Sequence, residues 1–336
     1  MDVQTLAQTA QQLVADGKGL LAADESTGTI KKRFDQINVE SSERTRRDYR
    51  EVLFTTPGMA DYISGVILYD ETIRQTAADG TPLVEHLSNK GVIPGIKVDK
   101  GAKPLAPSGI EKVTEGLDGL RERFQEYAGL GARFAKWRGV YNIGGGLPSW
   151  QCIQANAHAL ARYAALAQEA GIVPVVEPEV LMDGDHDIAA CRAATEAVLR
   201  EVFGQLAEQQ VVPEGMLLKP NMVLSGKNAS HQAGAEQVAR ETISAFKRTV
   251  PAAVPGIVFL SGGQSDEQAT VNLDTINKLK ESMGAPWALS FSYGRALQQS
   301  ALKAWQGNND NAESARAAFF DRARATSAAA LGRYAA

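Results

Sequence analysis

The sequence predicts a (β/α)8 barrel of the TIM type, and three observations carry that prediction. Short apolar, β-rich runs alternate with longer amphipathic stretches from one end of the chain to the other. Eight such runs recur at a spacing of about 30–40 residues, the length of one strand-plus-helix unit. An open doubly wound sheet would need a glycine fingerprint after its first strand, and Asp24–Gly28 reads DESTG instead.

The elements follow in order. Helical residues before Gly19 would cap the bottom of the barrel. Strands are read at Gly19–Asp24, Ile63–Tyr69, Pro94–Asp99, Arg133–Arg138, Val173–Glu179, Met216–Pro220, Ile257–Ser261 and Trp287–Ser292. Amphipathic helices are read at Gly119–Tyr127, Ala155–Ala170, Ala189–Glu208, Glu236–Thr249 and Glu267–Met283, with a last helix at Asp321–Leu331. Helices between successive strands make those strands parallel. No low-complexity segment, repeat or Pro/Gly/Ser-rich linker divides the 336 residues, so one catalytic domain is expected over 1–336, with a short tail after about residue 331.

Composition is that of an ordinary globular protein, 44% hydrophobic and 22% charged. A net charge of −4 offers neither a basic face for nucleic acid nor a polybasic membrane patch, so neither partner is expected. The N-terminus has no signal-peptide pattern, and no apolar run approaches the roughly 20 residues that span a bilayer. Cys152 and Cys191 lie far apart with no metal-ligand spacing and read as reduced thiols. A cytoplasmic address is expected, or an organellar one if a transit peptide has been removed.

The chemistry gathers where the strands end. Lys97 and Asp99, Lys136 and Arg138, and Glu177 and Glu179 form pairs two residues apart, and residues i and i+2 of a strand share a side. Facing inward, all six would converge at the top of the barrel, the functional face of this fold, with Asp24 and Lys219 completing the ring. Solvated strand ends making ordinary ion pairs are the alternative. Lys219 lies in the apolar run MLLKPN, and a lysine taken out of water tends to lose its proton or find a partner. A neutral amine would attack a carbonyl to give an imine; a lysine simply paired with Glu177 or Glu179 is the bland reading. Two adjacent carboxylates push their proton affinities apart, so one of Glu177 and Glu179 could serve as an acid.

Phosphate signals come from the last two strands. Ser261-Gly262-Gly263 precedes a helix, and Ser292-Tyr293-Gly294-Arg295 follows the eighth apolar run, with Arg295 offering a bidentate fork. A second cluster, Lys32 and Arg33 beside Ser26, Thr29 and Lys97, would take an anion at the other end of a substrate. Three decoys are set aside. LSGGQ (260–264) matches an ABC-ATPase signature, but the chain has no P-loop. The acidic stretch Asp183–Asp187 lacks the glutamate that closes a calcium loop and reads as a helix start. Gly144–Gly146 is a flexible turn.

The segments GKGLLAADESTGTIKKR, GIKVDKG, FAKWR, GIVPVVEPE, LLKPNMV, FLSGGQS and WALSFSYGRALQ run in order from about residue 17 to about residue 306. Together they resemble the class I fructose-bisphosphate aldolases over nearly the whole chain. The resemblance implies a glycolytic lyase, without metal or cofactor, acting on a phosphosugar through a Schiff base on Lys219. It makes Glu177 the main acid/base residue, with Lys136, Asp24 and Glu179 assisting. Ser261, Gly262, Gly263, Ser292, Gly294 and Arg295 would hold the phosphate near C1. Arg33, Lys97 and Ser26 would meet the phosphate near C6, with Arg138 also contacting substrate. It further implies a homotetramer. Eukaryotic members carry a mobile tail ending in a tyrosine that assists enamine protonation, whereas the last residues here are Gly332-Arg333-Tyr334-Ala335-Ala336. An aldolase preferring sedoheptulose 1,7-bisphosphate and a non-catalytic phosphosugar scaffold are the alternatives. Transaldolase fits less well, because two phosphate clusters suit a bisphosphate.

Overall fold

A computed structural model describes residues 2–335. Ten strands are present among them: β1 (Gly19–Ala23), β2 (Ile63–Leu68), β3 (Ile93–Lys97), β4 (Ala102–Pro104), β5 (Lys112–Thr114), β6 (Phe134–Tyr141), β7 (Val173–Val180), β8 (Leu217–Leu218), β9 (Gly256–Phe259) and β10 (Ala288–Tyr293). Eight of them close into a parallel barrel in the order β1-β10-β9-β8-β7-β6-β3-β2, while β4 and β5 form a separate antiparallel hairpin. This is the predicted TIM barrel, with strand boundaries within a few residues of those read from the sequence.

The helices are α1 (Val3–Leu13), α2 (Thr27–Asp35), α3 (Glu43–Phe54), α4 (Asp70–Ile73), α5 (Leu83–Ser88), α6 (Leu120–Gly129), α7 (Trp150–Glu169), α8 (Ile188–Glu208), α9 (Ala235–Lys247), α10 (Asp266–Lys280), α11 (Arg295–Trp305) and α12 (Ala312–Ala330). Two starts lie several residues upstream of the sequence reading. Ser149 caps α7 by accepting the Cys152 N–H at 3.1 Å, and α12 begins well before Asp321. Helices α2 and α3 and the β4–β5 hairpin were not read at all. The α3 start is a capping box between Ser42 and Thr45, with threonine where glutamate or glutamine is the usual signal.

Alternation along the strands builds the core. Leu20, Ala22, Ile67, Phe134, Val173, Val175, Leu217 and Val258 face inward and meet Leu6, Ala10, Leu13 and Val14, so α1 plugs the bottom as expected. The residues between them, such as Leu21, Trp137, Val176 and Leu218, face the helical ring. The Phe134 ring fills space that a side chain at Gly95 would need, so the lower barrel is packed shut and only its top is open.

Candidate active site

The strands change character near their C-terminal ends. Along β6, inward Phe134 gives way to inward Lys136 and Arg138; along β7, Val173 and Val175 give way to Glu177 and Glu179. Lys219 follows β8 directly, its N–H still donating to the Val176 carbonyl at 2.8 Å, and Pro220 then ends the ladder because it has no N–H. Asp24 follows β1, and Asp99 lies two residues past Lys97 at the end of β3. These groups line one cleft of about 1000 Å³ at the top of the barrel. Every site residue read from the sequence lines it, including Ser26, Arg33, Ser261, Gly262, Gly263, Ser292, Gly294 and Arg295.

The central groups form a charge ladder. Lys136 Nζ lies 2.7 Å from Asp24 Oδ2 and 3.3 Å from Glu177 Oε2; Lys219 Nζ lies 3.3 Å from Glu177 Oε1. Arg138 pairs with Glu179, and Lys97 with Asp99 at 2.7 Å. Four cations thus face four carboxylates. Burial penalises the Asp24 carboxylate, but Lys136 and then Lys219 more than offset it and hold its pKa well below the ordinary 3.8. Burial also works against the Lys136 charge, yet Asp24 and Glu177 outweigh it and push the ammonium above its usual range. Lys136 is therefore a fixed cation tied to two carboxylates. Lys219, equally buried, has only Glu177 at ion-pair distance among the described residues.

The glycine-bearing loops are shaped for an anion. Gly262 and Gly263 have φ of 46° and 85°, so two successive left-handed residues turn the chain after β9. A Cβ at Gly263 would stand 2.8 Å from Met182 Sδ. Among the described residues, the N–H groups of Ser261, Gly262, Gly263 and Gly294 find no acceptor, and Ser292 Oγ is buried without a partner. Helix α11 begins at Arg295 beside them, and Arg295 makes no ion pair among the described residues.

Arg33 also comes close to the loop after β10. Its Nη2 is 3.6 Å from where a Cβ of Gly294 would stand, because β1 adjoins β10 in the closed barrel and α2 follows β1. It is held by Glu25 at 2.5 Å. Glu25 in turn accepts from Gln298 at 2.9 Å and lies 3.6 Å from the fully buried Arg50 of α3.

A family model for class I fructose-bisphosphate aldolase matches residues 5–336. The chain belongs to that family. It is 58% identical to a probable class 1 fructose-bisphosphate aldolase of Xanthomonas campestris pv. campestris, over 99% of each chain. It is 56% identical to the cytosolic fructose-bisphosphate aldolase 5 of Arabidopsis thaliana, over 98% of this chain and 91% of that one. Among solved structures it resembles the Plasmodium falciparum fructose-bisphosphate aldolase, crystallised with TRAP and a small-molecule inhibitor. That match has a TM-score of 0.97 at 50% identity, over 99% of this chain and 96% of that one. This aldolase is accordingly a lyase acting on a phosphosugar, and the scaffold and sedoheptulose readings are not favoured.

Outside the cleft, the decoys resolve simply. Asp187 caps α8 through Ala190 N–H at 2.8 Å, the helix start expected of the acidic stretch. Among the described residues no three His, Cys, Asp or Glu side chains cluster as metal ligands, and both cysteines are free and buried. Among the described residues no helix is long and apolar enough to cross a membrane. Tyr334 is not among the residues that line the cleft: its N–H donates to Asp274 at 2.9 Å, and Leu331 packs on Gly17 ahead of β1. Sequence reasoning passed over Glu25, Arg50 and Gln298, although Glu25 and Gln298 lie inside the matched segments. Arg50 carried no comparable signal.

Proposed function

We propose that this aldolase cleaves fructose 1,6-bisphosphate through an imine on Lys219, with Glu177 as the principal proton carrier. The observation that carries the reading is the Glu177 carboxylate, one oxygen toward Lys219 and the other toward Lys136. Lys219 passes a proton to Glu177, and its freed Nζ adds to the C2 ketone, giving a carbinolamine. Glu177 delivers a proton to its hydroxyl, which leaves as water and yields the iminium. A base then removes the C4 hydroxyl proton, the C3–C4 bond breaks into the iminium, and glyceraldehyde 3-phosphate departs. Protonation of the enamine at C3 and hydrolysis release dihydroxyacetone phosphate and free Lys219.

Lys136, paired to Asp24, stabilises negative charge as it moves through the cleft, and Glu179 holds Arg138 toward the sugar hydroxyls. The Ser261–Gly263 turn, Ser292, Gly294 and Arg295 take the phosphate near C1. Lys97 and Ser26 take the phosphate near C6, with Arg33 between the two clusters. These roles belong to one catalytic domain over residues 1–336. Replacing Lys219→Arg, which keeps the charge but removes the nucleophile, is expected to abolish cleavage in a protein that still unfolds cooperatively; retained cleavage would refute the assignment.

We also propose a cytoplasmic homotetramer, supported by family membership and by the cytosolic naming of the plant relatives. Sedimentation equilibrium would test the assembly.

A further inference from the structure

We propose that Gln264, a residue outside the expected phosphate ligands, is the positioning residue of the anion cradle. The inference rests on reading that cradle as the C1-phosphate subsite. Gln264 closes the turn whose two central residues are Gly262 and Gly263, its own N–H donating to the Ser261 carbonyl at 3.0 Å. Its side-chain amide then donates to the same carbonyl, with Nε2 3.1 Å from Ser261 O. Both lone pairs of that carbonyl are thereby taken, which turns the oxygen inward and leaves the N–H groups of the turn for the cleft.

The amide is itself anchored. Asn272 of α10 donates to Gln264 Oε1 at 2.7 Å, and both side chains are buried, Gln264 to 1% exposure. Nε2 also lies 3.7 Å from Met222 Sδ, on the segment that follows Lys219. The main-chain carbonyl of Gln264 meanwhile accepts from Arg295 Nη2 at 3.0 Å. One residue thus joins the loop after β9, the first residue of α11, helix α10 and the chain beyond β8. If the Ser261 carbonyl rotated into the cleft, it would present a lone pair to a phosphate in place of a donor.

Glutamate fills the same space but sets an oxygen against the Ser261 carbonyl and adds negative charge beneath an anion site. Asn272→Ala removes only the anchor and keeps the test open should Gln264→Glu fail to fold. The experiment titrates the borohydride-trapped adduct against dihydroxyacetone phosphate in wild type and both variants. Alongside it, KM for glyceraldehyde 3-phosphate is measured in the condensation direction. The half-saturating concentration of dihydroxyacetone phosphate is expected to rise about tenfold in Gln264→Glu and about threefold in Asn272→Ala, the scale of lost buried hydrogen bonds. KM for glyceraldehyde 3-phosphate should stay near the wild-type value, since that substrate carries the other phosphate. Lower thermal stability with unchanged dihydroxyacetone phosphate saturation in both variants would overturn the proposal and leave Gln264 a packing residue. Absence of any adduct in wild type would instead sink the imine reading, and this proposal with it.

Discussion

Nζ of Lys219 lies 3.3 Å from Oε1 of Glu177, and the second oxygen of the same carboxylate lies 3.3 Å from Lys136 Nζ. A carboxylate so placed can exchange a proton at the Lys219 adduct while remaining in the field of a fixed cation. Glu177→Gln keeps the shape and removes the proton carrier. We expect kcat to fall by about 10²–10⁴, the usual worth of a general acid or base, with no comparable loss of thermal stability. An unchanged kcat would show that the proton travels elsewhere.

Asp24 and Lys136 make a close ion pair at the centre of the cleft, and its pH behaviour has a definite sign. The Asp24 pKa is lowered in the folded protein, so its contribution is fully present above the ordinary 3.8 and lost as pH falls below that value. Lys136 is raised, so its contribution is full below 10.5 and fades only at more alkaline pH. Urea unfolding of wild type and Asp24→Asn should therefore differ by a constant amount across neutral pH. Below 3.8 the wild type should lose stability relative to the variant. A difference that varied through neutrality would mean that the pair is not ionised as described.

The Arg50 guanidinium is buried, its Nε and Nη1 without a partner among the described residues, and is held by one bond to the Glu25 carbonyl at 2.9 Å and by the nearby Glu25 carboxylate. Removing Glu25 leaves the buried Arg50 charge uncompensated, whereas removing Arg50 leaves Glu25 still paired with Arg33. Glu25→Gln is expected to cost about 3–5 kcal/mol in urea unfolding. Glu25→Gln combined with Arg50→Met should cost less than the sum of the single changes, because the two residues share one interaction. Strict additivity would show that they are not coupled.

The sequence exposed the barrel and most of the cleft for simple reasons. Apolar runs long enough to cross the barrel stand out, and an ionisable residue interrupting one, as Lys219 does, is conspicuous. The i, i+2 spacing of Lys136 with Arg138 and of Glu177 with Glu179 aims each pair at the same side. Contacts made by closure were not legible in that way. Arg33 stands beside Gly294 because β1 pairs with β10, a contact between the two ends of the chain. Arg50 reaches Glu25 from α3, whose threonine-based capping box gives little sequence signal. Gln264 sat within a recognised string, but its role depends on Asn272 and Arg295, which only the packed helices bring to it.

The most direct test of the account is borohydride reduction in the presence of dihydroxyacetone phosphate, followed by peptide mass mapping. The account predicts one reduced adduct, on the peptide containing Lys219, and none on those containing Lys136 or Lys97. An adduct on another lysine, or none in folded protein, would contradict the assignment of Lys219 as the imine-forming residue.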